Sequence, residues 1–168
     1  MSTTTAIRPA TPKDFKAIAD LHVRSWRKAY DGEFPGQGLP REVTEALHAS
    51  WTAHEAKDSD VVLVVEKDRT VVGFAAVWCA PEPYLDNLHI IAEASGAGAG
   101  RALVSRLVAE LVARGFNSLS LTVFESNHAA RSFYAKLGGV EGAPFTVGIF
   151  GDQVRCFTVK WDDLSALA

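Results

Sequence analysis

The sequence predicts an α/β fold: one mixed, mostly antiparallel sheet of about seven strands with helices on both faces. Two observations carry this. Strand-like runs and helical periodicities follow one another as strand, two helices, three strands, helix, strand, helix and two strands, and 168 residues suit one domain spanning 1–168. Turn signals at residues 67–70 and 151–152 also pair the strands on either side of each into antiparallel hairpins.

The elements follow in order. Ile7 to Pro9 reads as a short first strand. Thr11-Pro12-Lys13-Asp14 is a helix start, with Thr as cap, Pro at the first position and Asp three residues on. Phe15, Ile18, Leu21, His22, Ser25, Trp26 and Ala29 then keep helical spacing to about Tyr30. The Gly- and Pro-rich residues 31–40 read as a loop, and 41–51 as a second helix. Val61 to Glu66 and Val71 to Cys79 are β-branched runs around Lys67-Asp68-Arg69-Thr70, an antiparallel hairpin. Tyr84 to Ile91 is a third strand of this group. Arg101 to Arg114 reads as a helix stopped by Gly115. Leu119, Leu121 and Val123 alternate with Ser118, Ser120 and Thr122, a strand with one apolar face. Asn127 can cap a helix from His128 to Leu137, ended by Gly138-Gly139. Val140 to Phe150 and Gln153 to Trp161 read as a closing hairpin around Gly151-Asp152.

Composition narrows the function. The chain is 48% hydrophobic and 22% charged, with 17 Lys plus Arg against 20 Asp plus Glu and a net charge of −3. A nucleic-acid binder would carry a basic surplus. Two cysteines, Cys79 and Cys156, lie in apolar runs and read as buried reduced thiols rather than a disulfide framework. The N-terminal residues lack a basic region and an apolar core, and the longest apolar stretch, 71–80, is half a membrane span. The expectation is a cytoplasmic protein without nucleic-acid or membrane partners. The five histidines show no ligand spacing, so no metal is expected, and no Gly-x-Ser-x-Gly elbow appears.

The segment from Leu88 to Leu103 is the most informative. A strand runs into glycines at alternate positions, Gly96, Gly98 and Gly100, and a helix starts directly after them. Glycine lets backbone N–H groups converge without a Cβ, and a helix start adds unpaired N–H groups and a partial positive charge. Together they make an anion cradle; the plainer reading is a tight turn. A Walker loop would need Gly-Lys followed by Ser or Thr, and a dinucleotide fingerprint would need glycine where Arg101 stands.

This segment resembles the acyl-CoA-binding motif of the GNAT superfamily of N-acetyltransferases: Gln or Arg, two variable residues, Gly, one variable residue, then Gly or Ala. Gly98-Ala99-Gly100 fits its second half and Arg101-Ala102-Leu103 continues as the family's helix does. A second segment, Val123 to Gly139, resembles the part of that family in which a strand ends at Asn and a helix carries Phe-Tyr before Leu-Gly. Leu21 to Tyr30 resembles the first helix of small bacterial members, so the resemblance covers nearly the whole chain.

The resemblance implies central strands splayed to admit acyl-CoA, with acetyl-CoA as co-substrate. It implies that the backbone of Gly96, Ala97, Gly98, Ala99, Gly100 and Arg101 holds the pyrophosphate. Leu88, His89 and Ile90 would pair with the pantetheine arm. Asn127 reads as a helix cap, a donor to the CoA arm, or both. Tyr134 reads as a packed aromatic or, two turns from Asn127 on the same helix face, as the general acid that protonates the leaving thiolate. Two positions depart from the pattern: Ser95 replaces Gln or Arg, and Ala97 a common basic residue. Each lost charge-assisted hydrogen bond is worth about 1.5–3 kcal/mol, and Arg101 and Arg106 are candidates to compensate.

The implied reaction is acetyl transfer from acetyl-CoA to a primary amine of a small molecule, peptide or protein, by direct attack through a tetrahedral intermediate. The Ile90 N–H would hold the oxyanion. A base must first deprotonate the amine. Thr122 stands where some relatives carry Glu, which leaves Asp86 and His89, and less strongly Glu125; each also reads as a plain strand residue. Three apart, Asp86 and His89 should lie on opposite strand faces. Trp26, Tyr30, Phe34 and Trp51 are candidates for the acceptor pocket or the core. A non-catalytic acyl-CoA-binding or regulatory domain is the alternative. Folds of this kind often dimerise, so a homodimer is among the expected forms.

Overall fold

The computed structural model describes residues 4–55, 57–96 and 98–167. Its strands are β1 (Thr5–Pro9), β2 (Val61–Lys67), β3 (Thr70–Trp78), β4 (Tyr84–Ile90), β5 (Leu119–Phe124), β6 (Val140–Glu141), β7 (Phe145–Ile149) and β8 (Asp152–Trp161). The helices are α1 (Phe15–Glu33), α2 (Arg41–Thr52), α3 (Ala99–Ala113) and α4 (His128–Lys136). The strands form one sheet of eight, in the order β1-β2-β3-β4-β5-β8-β6, with β7 also on β8. Every neighbouring pair is antiparallel except β4 and β5.

The expected strand from Val140 is two pieces. Gly142-Ala143-Pro144 breaks it, because Pro144 has no N–H for the ladder. Helix α1 runs to Glu33, past the expected loop start. Helix α3 begins at Ala99, two residues earlier than the glycines suggested.

Alternation along the strands sorts the core into layers. On one face α3 buries Leu103, Leu107 and Leu111 against Leu63, Ala75, Val77, Leu121 and Val159. On the other, Ile18 and Leu21 of α1 and Trp51 of α2 pack on Val64, Phe74 and Ala76. A smaller cluster holds the end of α1 to the last hairpin: Tyr30 with Ile149, Val154 and Cys156. Cys79 and Cys156 are both buried and free, as their apolar surroundings suggested. The start of α1 is fixed by Thr11, whose N–H and Oγ1 both donate to the Asp14 carboxylate, at 2.8 and 3.1 Å.

Candidate active site

The sheet is split at its centre. β4 and β5 run parallel, and Tyr84↔Ser120 is their one pair among the described residues. Beyond it the strands diverge and leave unpaired backbone on both sides of the gap. The N–H of Ile91 donates to Val72 across β3, at 2.9 Å. Alternation therefore turns the His89 amide toward β3 and those of Leu88 and Ile90 toward the gap.

Two cavities meet in this gap. One, about 620 Å³, runs from the glycine-rich turn past Leu88, His89 and Ile90 to α4. The other, about 500 Å³, is an open cleft lined by Trp26, Asp86, Thr122 and the β7–β8 hairpin, among others. Leu88, Phe124, Asn127, Ala130 and Tyr134 line both.

The glycine turn forms the mouth of the first cavity. Gly96 and Gly98 have φ of 103° and 80°, left-handed values that side chains rarely adopt, and Gly98 caps α3. Gly100 packs closely under α4: a Cβ there would stand 3.3 Å from the Phe133 ring and press it aside slightly. The amides of Ser95 and Ala99 are used within the protein, by Ile91 and Gly96 respectively. Those of Gly96, Gly98 and Gly100 have no backbone partner among the described residues. Ser95 turns its hydroxyl back to the Ala92 carbonyl at 2.9 Å. Gly96, Gly98, Ala99, Gly100 and Arg101 all line the cavity; Ala97 lies outside the described residues. Arg106 does not reach it. Its guanidinium is held by Glu110 at 2.8 Å, one helical turn away on α3.

Helix α4 supplies the far wall. Asn127 caps it, accepting the Ala130 N–H at 3.2 Å through Oδ1, which leaves its amide NH₂ for the cavity. Arg131 braces the helix by binding Glu141 at 2.7 and 2.9 Å and the Glu125 carbonyl at 2.9 Å. Tyr134 is buried between Phe133 and Trp161, with ring centroids 5.3 and 5.9 Å away. Burial pushes its phenol up to about 12, and no hydrogen bond offsets this.

Asp86 and His89 do not divide between the strand faces. In the β3–β4 register Ala76 pairs with Asn87 and Val77 with Leu85, so Asp86 is the extra residue of a bulge. The bulge shifts the alternation by one position and brings Asp86 and His89 to the same face, toward α1. Asp86 opens into the second cavity, and His89 lines the first. Asp86 is reached by water, yet protein surrounds most of it. This desolvation raises its pKa, with a hydrogen bond from Trp78 acting the other way. His89 is pushed down by burial and by Arg24 and Lys28, and its Nε2 is buried without a partner. Glu125 pairs with Arg155 at 3.2 Å instead of facing either cavity. Of the four aromatic candidates only Trp26 lines the second cavity. Tyr30 and Phe34 pack on each other at 4.7 Å, and Trp51 donates its indole N–H to His22 in the core at 3.0 Å.

The Acetyltransferase (GNAT) family model matches residues 17–139. The chain belongs to the GNAT acetyltransferase family. It is 29% identical to the uncharacterized N-acetyltransferase YuaI of Bacillus subtilis (strain 168), over 96% of this chain and 95% of that protein. Its fold overlays yncA of Salmonella typhimurium, solved with acetyl-CoA, with TM-score 0.70 at 20% identity, covering 96% of this chain and 94% of the other. A mutant of the spermidine N-acetyltransferase SpeG from Vibrio cholerae overlays with TM-score 0.72 at 19% identity, covering 97% and 95%. Identities this low speak for the fold alone; the family match makes this chain an acetyltransferase that uses acetyl-CoA.

For this acetyltransferase the residues present suit that co-substrate. The bare glycine amides and Arg101 offer donors to phosphate, and the Leu88 and Ile90 amides offer a strand edge to an amide-bearing arm. Lys28 of α1, which reasoning from the motif alone overlooks, also lines the first cavity and adds a cation where Ser95 and Ala97 supply none. The row Ser25, Ala29 and Gly32 on α1 keeps that wall low, and its helical spacing of small residues was the available signal.

Proposed function

We propose that this enzyme acetylates a primary amine that enters the Asp86-lined cavity, with Asp86 receiving the amine's proton and Tyr134 supplying one on the other side. The observation that carries the reading is the position of Tyr134, which borders both the groove suited to acetyl-CoA and the pocket left for an acceptor. Bound acetyl-CoA supplies a thioester carbonyl already activated toward attack.

The chain's own groups do the rest. The Tyr134 phenol, at about 12, keeps its proton at neutral pH and acts as a donor toward the departing sulfur. Asp86 alone of the candidate bases faces the acceptor cavity. Its carboxylate holds an ammonium by charge and takes the proton as the nitrogen becomes a nucleophile. The raised pKa moves it closer to the amine it must deprotonate. The Ile90 N–H points into the gap, where a developing oxyanion would need a donor. His89 sits on the other cavity and shapes the wall there.

The test is release of free thiol from acetyl-CoA across a panel of amines. Tyr134→Phe should lower kcat by about 100-fold or more while leaving the Kd for acetyl-CoA nearly unchanged. An unchanged kcat in that variant removes Tyr134 from the reaction. Asp86→Asn should lose most of kcat/KM for the amine, and a fully active Asp86→Asn would return the role of base to His89 or water.

A further inference from the structure

The acceptor cavity has a neighbour beyond its outer wall. Trp26 and Phe150, on its outer wall, also border a third hollow of about 660 Å³ along α2, floored by Pro40, Val43 and Leu47. The two rings pack on each other at a tilt of 56°, with centroids 6.3 Å apart, and form the rim between these spaces.

Phe150 is an unexpected occupant of its position. With Gly151 it forms the tight β7–β8 turn, and both residues have positive φ, 48° and 91°. Such turns favour Asn or Asp before Gly, and a bulky residue there is strained. The residue is 50% exposed, and its buried side packs on Trp26 and Tyr30. A strained, half-exposed aromatic on the rim shared by two cavities is placed for something that lies across both.

The charges say what lies there. Asp86 is the one carboxylate among the described residues lining the inner cavity, and no Lys or Arg lines it. A single ammonium is therefore matched there, whereas a carboxylate on the same molecule would be desolvated without a partner. The α2 hollow is mostly apolar, with Glu42 and Ser50 also in its lining.

Building on the N-acetyltransferase reading above, we propose that the acceptor is a primary monoamine with an elongated uncharged body, alkyl or arylalkyl. Its nitrogen sits at Asp86 and its body runs over the rim made by Trp26 and Phe150 onto the α2 hollow. This rim and the hollow beyond it together clamp the body and select for apolar length.

The experiment measures thiol release with propylamine, hexylamine, 2-phenylethylamine, 1,6-diaminohexane and phenylalanine. The clamp predicts kcat/KM rising from propylamine to hexylamine, with hexylamine and 2-phenylethylamine about tenfold or more above phenylalanine and 1,6-diaminohexane. Phe150→Gly suits the turn backbone but gives up the ring contacts with Trp26 and Tyr30, and a thermal melt checks that it folds. It should collapse the hexylamine-to-propylamine ratio toward one without altering the KM for acetyl-CoA, and Phe150→Tyr should retain the ratio. A preference for phenylalanine or the diamine overturns the proposal, as does a length ratio that survives Phe150→Gly. Turnover of propylamine with no discrimination by length overturns the clamp alone. No thiol release with any amine overturns the N-acetyl reading itself, and the clamp with it.

Discussion

His22 is held neutral from two directions. The Trp51 indole N–H occupies its Nδ1 at 3.0 Å, which fixes the proton on Nε2. Burial, and then the nearness of His89, push its pKa down from 6.5 to about 4. An unfolded chain takes up that proton near pH 6.5 and the folded chain only near 4. Stability from this group is thus fully present above about pH 6.5 and declines as the pH falls toward 4. The loss over that interval is about 3 kcal/mol. His22→Gln keeps an acceptor for Trp51 and removes the titration. Urea unfolding at pH 7.5 and 5 should therefore show a marked drop for the native chain and a much smaller one for the variant. Equal drops would place the acid sensitivity elsewhere. Asp14 acts in a separate window. Its carboxyl, held by Arg8 at 2.8 Å and by Thr11, stands at about 2 against an ordinary 3.8, so its contribution of about 2 kcal/mol persists down to pH 4 and disappears toward 2.

β4 is the element on which the site depends, and Gly73 of β3 sets how close it lies. A Cβ at Gly73 would come within 2.8 Å of the His89 carbonyl oxygen and 2.9 Å of Ile90 Cγ1. Gly73→Ala must push β3 and β4 apart locally, at a cost of about 1–3 kcal/mol. The displaced residues, His89 and Ile90, line the acetyl-CoA side of the gap, so the same change should raise the KM for acetyl-CoA. A thermal melt and a titration of acetyl-CoA check both. A variant with native Tm and native KM would show that the strands yield without consequence. The bulge in the same strand marks where the sequence stops being readable. The glycine turn, the Asn127 cap and the alternation of β5 are local patterns, legible because their causes lie within a few residues. The bulge at Asp86 arises from the register between β3 and β4, and alternation counted along one strand cannot see its partner. Trp26 and Trp51 look alike in sequence for a related reason: each sits on an amphipathic helix, and only the packing of α2 on α1 sends one to the pocket and the other to His22. The capture of Arg106 was visible in principle, since Glu110 stands four residues on.

The molecule as a whole is two half-sheets, β1 to β4 and β5 to β8, joined across the centre by the Tyr84↔Ser120 pair and covered on one face by the cluster around α3. Such a split leaves two classes of amide on neighbouring residues of β4. His89 is tied to β3 in the free protein; Leu88 and Ile90 face the gap and have no strand to pair with. If a bound acetyl-CoA completes the sheet edge, it should protect these two amides and leave His89 as it was. Residue-resolved hydrogen exchange, with and without saturating acetyl-CoA, reads this directly. Slowing at Leu88 and Ile90 against an already slow His89 is the expected pattern. Binding to the native state should also stabilise the fold by about 2.7 kcal/mol at a hundredfold excess over Kd. If acetyl-CoA stabilises the fold by that amount and the exchange of Leu88 and Ile90 does not change, the ligand is held by the glycine turn and α4 alone. The gap would then be a feature of the sheet that β4's backbone does not use.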